Sequence, residues 1–382
     1  MLMQAAPSDI FDRICSWKSL VEAYHSARKG KREHAAVVAY GALLEEETIA
    51  LQGRLQSGVW GPSAPRVFKV TDPKPRLITA PPFLDRVVHH ALVKEIEPLF
   101  ERRFIDQSHA CRRGRGVHGA VHSLQKMIRI EQRNFGDVYV LKADISKFFA
   151  SIDHGRLIEI VKRTVRCQRT LALLRSILCG YGFEGGIGLP VGALTSQLMA
   201  NAYLDQLDHF VKDHLGLRWY LRYMDDWIIV GHDKAELWRI YDVLADMLAT
   251  RLGLRLNRKS TVQPIAQGVD FCGYRVFATH ILPRKRNIRR ARKRLQQSAD
   301  KVAAGADIEV ELAPRLASFR GYVAHCSAGR SLATVILTLN ETIDMEMIDV
   351  RKRQRRDARR AAKRSRKGRR CRPGAIRHLS YP

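Results

Sequence analysis

Three aspartates, Asp144, Asp225 and Asp226, have the residue type and the setting for metal chemistry. Asp144 follows the apolar run Val138-Tyr139-Val140-Leu141, a buried-strand pattern. Asp225 and Asp226 lie between apolar runs at 217–223 and 227–230, which read as a β-hairpin with the acid pair at its tip. A strand end and a neighbouring hairpin tip can bring such carboxylates together. Mg2+ takes hard oxygen ligands and keeps waters, so a few carboxylates plus substrate phosphates suffice to hold it. Two such ions, roughly 3.5–4 Å apart, activate an attacking hydroxyl and neutralise a leaving pyrophosphate. A single Asp or an Asp-Asp pair is common in surface turns. The order strand, acid, helix and two-acid hairpin is what points to phosphoryl transfer.

The elements that would carry these acids follow from periodicity. Residues 8–57 read as helices, with Ile10, Ile14, Trp17 and Val21, then Leu43, Leu44, Leu51 and Leu55, at helical spacing. From 58 to 82 the chain is proline-rich around a strand-like run, Arg66-Val67-Phe68-Lys69-Val70. A helix from about Asp85 is expected to bend or break at Pro98. Asp153 suits the N-cap of a helix from about Gly155. Glycines 180, 182, 185, 186 and 188 mark a loop, after which Ser196 is expected to start a helix with Leu204, Leu207, Phe210 and Val211 on one side. An amphipathic helix is expected over 234–252, with Leu237, Ile240, Tyr241, Leu244 and Leu248 inward, and one strand over 269–277.

At 382 residues and 46% hydrophobic, the chain can bury a sizeable core and exceeds one typical domain. The formal charge of +28 calls for a polyanionic partner, nucleic acid or an anionic surface. The excess is clustered: residues 284–294 carry eight Lys or Arg and no acid, and 351–382 carry fifteen against Asp357 alone. That tail lacks apolar periodicity and is expected to be disordered, or to fold only on nucleic acid. No apolar run spans a bilayer, and charges interrupt residues 1–20, so no membrane association is expected. The seven cysteines form no C-x-x-C, which argues against a disulfide framework or zinc knuckle and for a reducing, cytoplasmic setting. His118 and His122 have helical spacing but no nearby cysteine or acid, and read as helix residues rather than metal ligands.

Tyr223-Met224-Asp225-Asp226 resembles the signature of reverse transcriptases, and Lys142-Ala143-Asp144-Ile145-Ser146-Lys147-Phe148-Phe149 resembles their first acidic motif. The segment 188–201 resembles the motif that opens the template-contacting helix. Leu256-Asn257-Arg258-Lys259-Ser260 and Phe271-Cys272-Gly273-Tyr274 resemble the two later palm motifs, while 76–104 and 108–119 resemble the fingers of bacterial enzymes related to group II intron proteins. The resemblance spans about 66–326, in order. It implies an α+β, right-hand polymerase: N-terminal helices and fingers over 1–136, and a palm of antiparallel sheet plus helices over 137–278 with a fingers insertion at about 156–187. A helical thumb over 279–350 and the basic tail 351–382 follow. The implied activity is RNA-directed DNA synthesis from dNTPs on a template RNA and primer, with two Mg2+ ions (Mn2+ able to substitute) on Asp144, Asp225, Asp226 and Ile145. Lys259 would be the general acid for pyrophosphate. Lys69, Arg76, Phe149, Val191, Gly192 and Gln197 would contact the incoming nucleotide, Phe149 as the gate against a ribose 2′-hydroxyl. Phe271, Gly273 and Tyr274 would be the primer grip, and Arg284, Lys285, Arg286, Arg289 and Arg290 would ride the phosphate backbone.

Most of that family reads Gln-Gly-x-x-x-Ser-Pro where this chain reads Val191-Gly192-Ala193-Leu194-Thr195-Ser196-Gln197. The apolar residue before the glycine and the Gln after the serine resemble the enzymes of diversity-generating retroelements, bacterial or phage-encoded. These copy a template-repeat RNA with errors at adenines, so that the cDNA rewrites a target gene, and they work with a small basic pentameric accessory variability protein. The alternatives are another bacterial reverse transcriptase, intron-like or retron-like, an RNA-dependent RNA polymerase, and a non-catalytic RNA-binding scaffold. Retron enzymes carry a Val-Thr-Gly absent here. Phe149 argues against ribonucleotide synthesis, and the three acids argue against a dead scaffold.

Overall fold

The structure, a computed structural model, describes residues 9–71, 75–327 and Gly329. The expected basic tail lies outside them. The chain forms two units, Met1–Cys272 with Val276–Thr279, and Gly273–Arg275 with His280–Pro382.

The first unit opens with α1 (Ile10–Cys15), α2 (Trp17–Ala27), α3 (Ala35–Ala42) and α4 (Leu44–Gln56). Their inward residues Ile14, Leu20, Tyr24, Leu51 and Leu55 are buried in the main core, where α1, α2 and α3 lie against α5 (Phe83–Glu101). Between them stands the antiparallel hairpin of β1 (Arg66–Val70) and β2 (Arg76–Ala80). Pro98 neither bends α5 to a stop nor ends it. It sits in the last turn and leaves the Lys94 carbonyl without its helical donor, and Arg102 Nε donates to the Pro98 carbonyl at 3.3 Å.

After α6 (Val117–Phe135) comes β3 (Tyr139–Asp144), then α7 (His154–Lys162), capped as expected by the Asp153 side chain on Arg156 N–H, and α8 (Gln168–Cys179). Helix α9 (Leu194–His209) starts two residues before Ser196, which is buried in its first turn. Strand β4 (Tyr220–Tyr223) begins later than the apolar run suggests, because Lys212 Nζ takes the carbonyls of Leu217 and Arg218 at 2.9 and 3.2 Å. Strand β5 (Asp226–Gly231) follows a two-residue turn. Then come α10 (Lys234–Met247), prolonged by a wider turn to Leu252 that buries Leu248 and Leu252, and β6 (Thr261–Pro264). The strand expected over 269–277 is instead β7 (Val269–Phe271) and β8 (Tyr274–Val276). Cys272 and Gly273 between them take positive φ, 46° and 89°, and turn the chain.

The sheet β4-β5-β3-β6 is antiparallel throughout. Register pairs Asp144 with Asp226, Ala143 with Trp227 and Arg222 with Trp227. Because side chains alternate, Asp144, Asp226 and Lys142 share one face and Arg222 and Trp227 take the other, toward α9. Helices on an antiparallel sheet are the α+β arrangement that the resemblance implied.

The α9 side holds a buried ionic network. Arg222, 0% exposed, donates from Nε to Asp208 Oδ1 at 2.7 Å and from Nη2 to Asp208 Oδ2 at 2.5 Å. Nη1 reaches Asn201 Oδ1 (3.1 Å) and the Met224 carbonyl (3.2 Å), and Nη2 also reaches Ser108 Oγ (3.0 Å). Tyr220 donates its hydroxyl to Asp208 at 2.8 Å. Charges can be taken out of water only when paired and hydrogen-bonded in this way.

In the second unit β9 (Ile281–Pro283), α11 (Lys285–Ala303), α12 (Ile308–Glu311) and α13 (Ala313–Val323) follow. The three helices close on Leu295, Ala299, Ile308, Leu312, Phe319 and Val323.

Removing one partner of the Arg222–Asp208 pair leaves a buried charge. Arg222→Met is expected to cost about 3–5 kcal/mol of unfolding free energy, with Asp208→Asn in that background restoring part of it. Denaturant titration of the four proteins measures this cycle. A single-variant loss below about 1 kcal/mol would mean that Asp208 is rehydrated.

Candidate active site

The hairpin tip is built by strain that the network holds. Met224, the first turn residue, sits at φ 56°, a left-handed conformation that costs a non-glycine residue on the order of 1 kcal/mol. Its carbonyl is fixed by Arg222. Asp225 occupies the second turn position and Asp226 begins β5, directly across from Asp144 at the end of β3.

Burial first, and next the charge of Asp144, with which it also shares a hydrogen bond, push the Asp225 carboxyl up from 3.8 to about 6. Like charges this close favour a shared proton. Asp144 is steadied from the other side. Asn257 N–H donates to its carbonyl at 2.7 Å and Asn257 Nδ2 to its Oδ2 at 3.2 Å. Asp226 Oδ2 is 3.1 Å from Lys142 Nζ, and that ammonium also donates to the Asp270 carbonyl at 2.6 Å. Among the described residues no group of three His, Cys, Asp or Glu side chains is placed to hold a metal ion, so the expected three-aspartate set is not assembled in this structure. The donor set Asp144 and Asp225, two carboxylates in mutual repulsion, nonetheless suits a hard divalent cation. Such an ion draws its remaining ligands from carbonyls, waters and phosphates. Ile145 can contribute only its carbonyl.

The other expected residues lie on several different elements. Phe149 is half-buried, 5.4 Å from Phe148 between ring centroids, and its carbonyl accepts Leu189 N–H at 2.6 Å. Val191 is held by Thr79 N–H on its carbonyl at 2.9 Å. Gly192, at φ 126°, lies where a Cβ would meet Ile78 Cγ2 at 2.9 Å, so no other residue fits without a shift. Thus β2 is docked on the segment before α9. Gln197 is exposed on α9. Lys69 faces Leu77 and Arg76 faces Val70 on the exposed β1–β2 hairpin, neither in an ion pair with a described residue. Lys259 is exposed, two residues beyond the Asn257 that holds Asp144.

Of the residues expected at the primer, Phe271 is buried in the first unit, its ring 5.9 Å below Lys142 Nζ. In the second unit Tyr274 is also buried, with its hydroxyl on the Tyr322 carbonyl at 2.8 Å. The Gly273 carbonyl accepts Tyr322 OH at 2.6 Å. Lys285, Arg286 and Arg289 are exposed on α11, while Arg284 and Arg290 are half-buried. Residues that sequence reasoning passed over are Arg222, Asp208, Asn201, Ser108, Lys142 and Asn257. The available signal was an arginine inside an apolar strand run, which demands a buried partner.

In metal-free protein Asp225 ionises near 3.8 when unfolded and near about 6 when folded. The folded state therefore holds the extra proton between these values. That contribution is present below 3.8 and lost as pH rises through about 6. Asp225→Asn is expected to raise Tm over the native chain by an amount that widens from pH 4 to pH 7, and Mg2+ is expected to narrow the gap. Calorimetry with and without chelator tests this, and a pH-independent gap would contradict the paired-carboxyl geometry.

A reverse transcriptase (RNA-dependent DNA polymerase) family model matches residues 69–276. The Escherichia coli protein YkfC is 26% identical over 280 residues, 62% of this chain and 72% of YkfC. The group II intron-encoded protein LtrA of Lactococcus lactis is 28% identical over 177 residues, 44% of this chain but 28% of LtrA. A solved telomerase from Candida albicans, in complex with a fragment of telomeric RNA, covers 78% of this chain and 58% of its own at 9% identity and a TM-score of 0.48. With more than half its length matched, in the segment that carries both acid-bearing strands, the chain belongs to the reverse transcriptase family of RNA-dependent DNA polymerases.

Proposed function

We propose that this chain copies a template RNA into cDNA, with Asp144 and Asp225 holding catalytic Mg2+ and Asp226 completing the set when Lys142 releases it. The observation that carries the reading is the register that sets Asp144 directly across from Asp226, with Asp225 in the turn beside them. It marks a place where a bound cation relieves repulsion. When bound, the metal activates the primer 3′-hydroxyl and screens the leaving pyrophosphate. The chain's own residues do the rest. Asn257 orients Asp144, Arg222 fixes the turn that presents Asp225, and Phe149 closes space beside the sugar. Lys259 stands as the proton donor to pyrophosphate, and Lys69 and Arg76 meet the triphosphate. Fingers over 1–136, palm over 137–278 and thumb from 279 remain our division of the hand, with Phe271, Gly273 and Tyr274 at the primer and Arg284 to Arg290 along the backbone. We place the enzyme in the cytoplasm; no described helix is long and apolar enough to cross a membrane.

The finer reading is a retroelement enzyme that diversifies a target gene, working with a pentameric accessory protein. It rests on Val191 and Gln197 standing where most of the family has Gln and Pro. Val191 presents methyl groups and is fixed by its carbonyl to Thr79. A polar residue there adds a hydrogen bond of about 0.5–1.5 kcal/mol, which is up to about tenfold in discrimination. The adenine bias is taken from the resemblance alone.

Asp144→Ala and Asp225→Ala are each expected to abolish primer extension, with RNA affinity within about threefold because phosphate contacts are spread over many cations. Extension from dNTPs on an RNA template, beside filter binding, checks both, and synthesis surviving in either variant would remove it from the metal set. Sequencing cDNA copied from a defined RNA is expected to show errors concentrated at template adenines, reduced up to about tenfold in Val191→Gln. Accurate copying at all four bases by the native chain would leave the polymerase reading standing and end the retroelement one.

A further inference from the structure

The catalytic acids occupy one end of the palm sheet, and a second chemical surface occupies the other. Strand β5 runs six residues from Asp226 to Gly231. His232 therefore emerges about 20 Å from the acids at ~3.3 Å per residue. Phe135 ends α6 just before β3 begins, at the same far end. Its ring stacks flat on His232, centroids 3.8 Å apart and planes 8° apart, although Phe135 is 53% exposed. The imidazole is held by Nδ1 at 3.1 Å from Glu131 Oε1. The other oxygen of this buried carboxylate takes Trp219 Nε1 at 2.6 Å. Arg218 lies over the Trp219 ring, 4.4 Å from its centroid. The buried carboxylate thus fixes two aromatic rings in place, and an exposed phenyl ring is an uncovered stacking face.

A cationic stripe leads to this platform. Lys126, Arg129 and Arg133 are exposed on α6 at spacings of three and four, one face of the helix over about 10 Å. Lys126 and Arg133 have no acidic partner among the described residues, and Arg129 donates Nε only to the Ala278 carbonyl at 3.2 Å. The acids nearby do not neutralise them. Glu131 is turned inward, Asp233 caps α10 and lies 3.9 Å from Arg239, and Asp137 is exposed without an ion pair among the described residues.

We propose that this stripe and the Phe135–His232 stack form a second binding surface for single-stranded RNA, engaging template that lies outside the copied duplex. Cations in line meet successive phosphates, and a flat aromatic face takes an unstacked base. A duplex offers no free base to stack, so a single strand fits where a helix does not. From the polymerase reading this takes only that RNA is the ligand.

The test uses the full chain and one RNA–DNA primer–template hybrid in three forms: without overhang, with an unstructured oligouridylate overhang, and with that overhang made double-stranded. Affinity is read by anisotropy without nucleotides, so loss of synthesis does not enter the result. Phe135→Ser leaves the Glu131 bonds intact. It is expected to weaken binding of the single-stranded-overhang hybrid about tenfold and to leave the hybrid without overhang unchanged. Lys126→Gln with Arg133→Gln is expected to lower the slope of log K against log salt by about 1.4 on the same hybrid, ~0.7 for each phosphate no longer neutralised. Unchanged affinity and slope, or equal losses on the hybrid without overhang, would overturn the proposal. Losses as large with the double-stranded overhang would overturn its single-strand specificity. A protein partner for this face would show as the first of these results.

Discussion

The buried ion pair between Arg222 and Asp208 is the constraint on which the site depends. It joins segments far apart in the chain: the stretch at Ser108, the buried face of α9 at Asn201 and Asp208, and the strand that enters the catalytic turn. Backbone bonds run parallel to it, with Arg222 N–H on the Gln107 carbonyl and His109 N–H on the Arg222 carbonyl, both at 3.0 Å. A buried pair of this kind adds little net stability over a well-packed apolar substitute, and its best-attested use is to fix register. Register is what matters here. A one-residue slip of β4 would bring Arg222 to the face of the acids and Tyr223 into the core. The Met224 carbonyl, the fifth hydrogen-bonded acceptor around the guanidinium, ties the strained turn to the same anchor.

On the opposite face the design is reversed. There the protein concentrates like charge in a partly buried place, Asp144 against Asp225, and leaves the repulsion unrelieved. Lys142 answers Asp226 but not the other two. In a chain of net charge +28, this cannot be a shortage of cations. Many basic residues line exposed surfaces such as α6 and α11, while Asp144 and Asp225 form no ion pair with a described residue. Under the proposed function a bound cation would relieve this repulsion, so the acids lower the stability of the metal-free chain in favour of function.

Much of this was legible in the sequence, for physical reasons that differ from residue to residue. The acids at 144, 225 and 226 could be placed because apolar runs on either side specify strands, and a two-residue break between such runs specifies a hairpin. Asp153 could be placed because an N-cap is a local interaction. Arg222 could not, because its partners lie 14 residues away on α9 and 114 away at Ser108, and periodicity carries no such information. The single strand expected over 269–277 failed for a local reason. Cys272 was counted as a strand residue, yet it takes positive φ beside Gly273. Ser196 looked like a cap, but a tertiary contact competes with local preference: Thr195 beside it bonds His89 of α5 at 3.1 Å.

The same sheet offers two independent ways to place side chains. Alternation along a strand assigns side chains to two faces, and length along it assigns them to two ends. Arg222 uses the first freedom, holding the Met224–Asp225 turn from the far face. The Phe135–His232 stack uses the second, lying a strand's length from the acids on β3 and β5, the strands that carry Asp144 and Asp226. Both devices spend a buried carboxylate, Asp208 in one case and Glu131 in the other, on a single cation or imidazole and one aromatic donor, Tyr220 or Trp219. A carboxylate with two oxygens can orient two groups at once, and burial removes the water that would compete for it. Rigidity is therefore placed at the two ends of the sheet, while the strands between are held by ordinary apolar packing of Leu141, Ala143, Trp227 and Ile229.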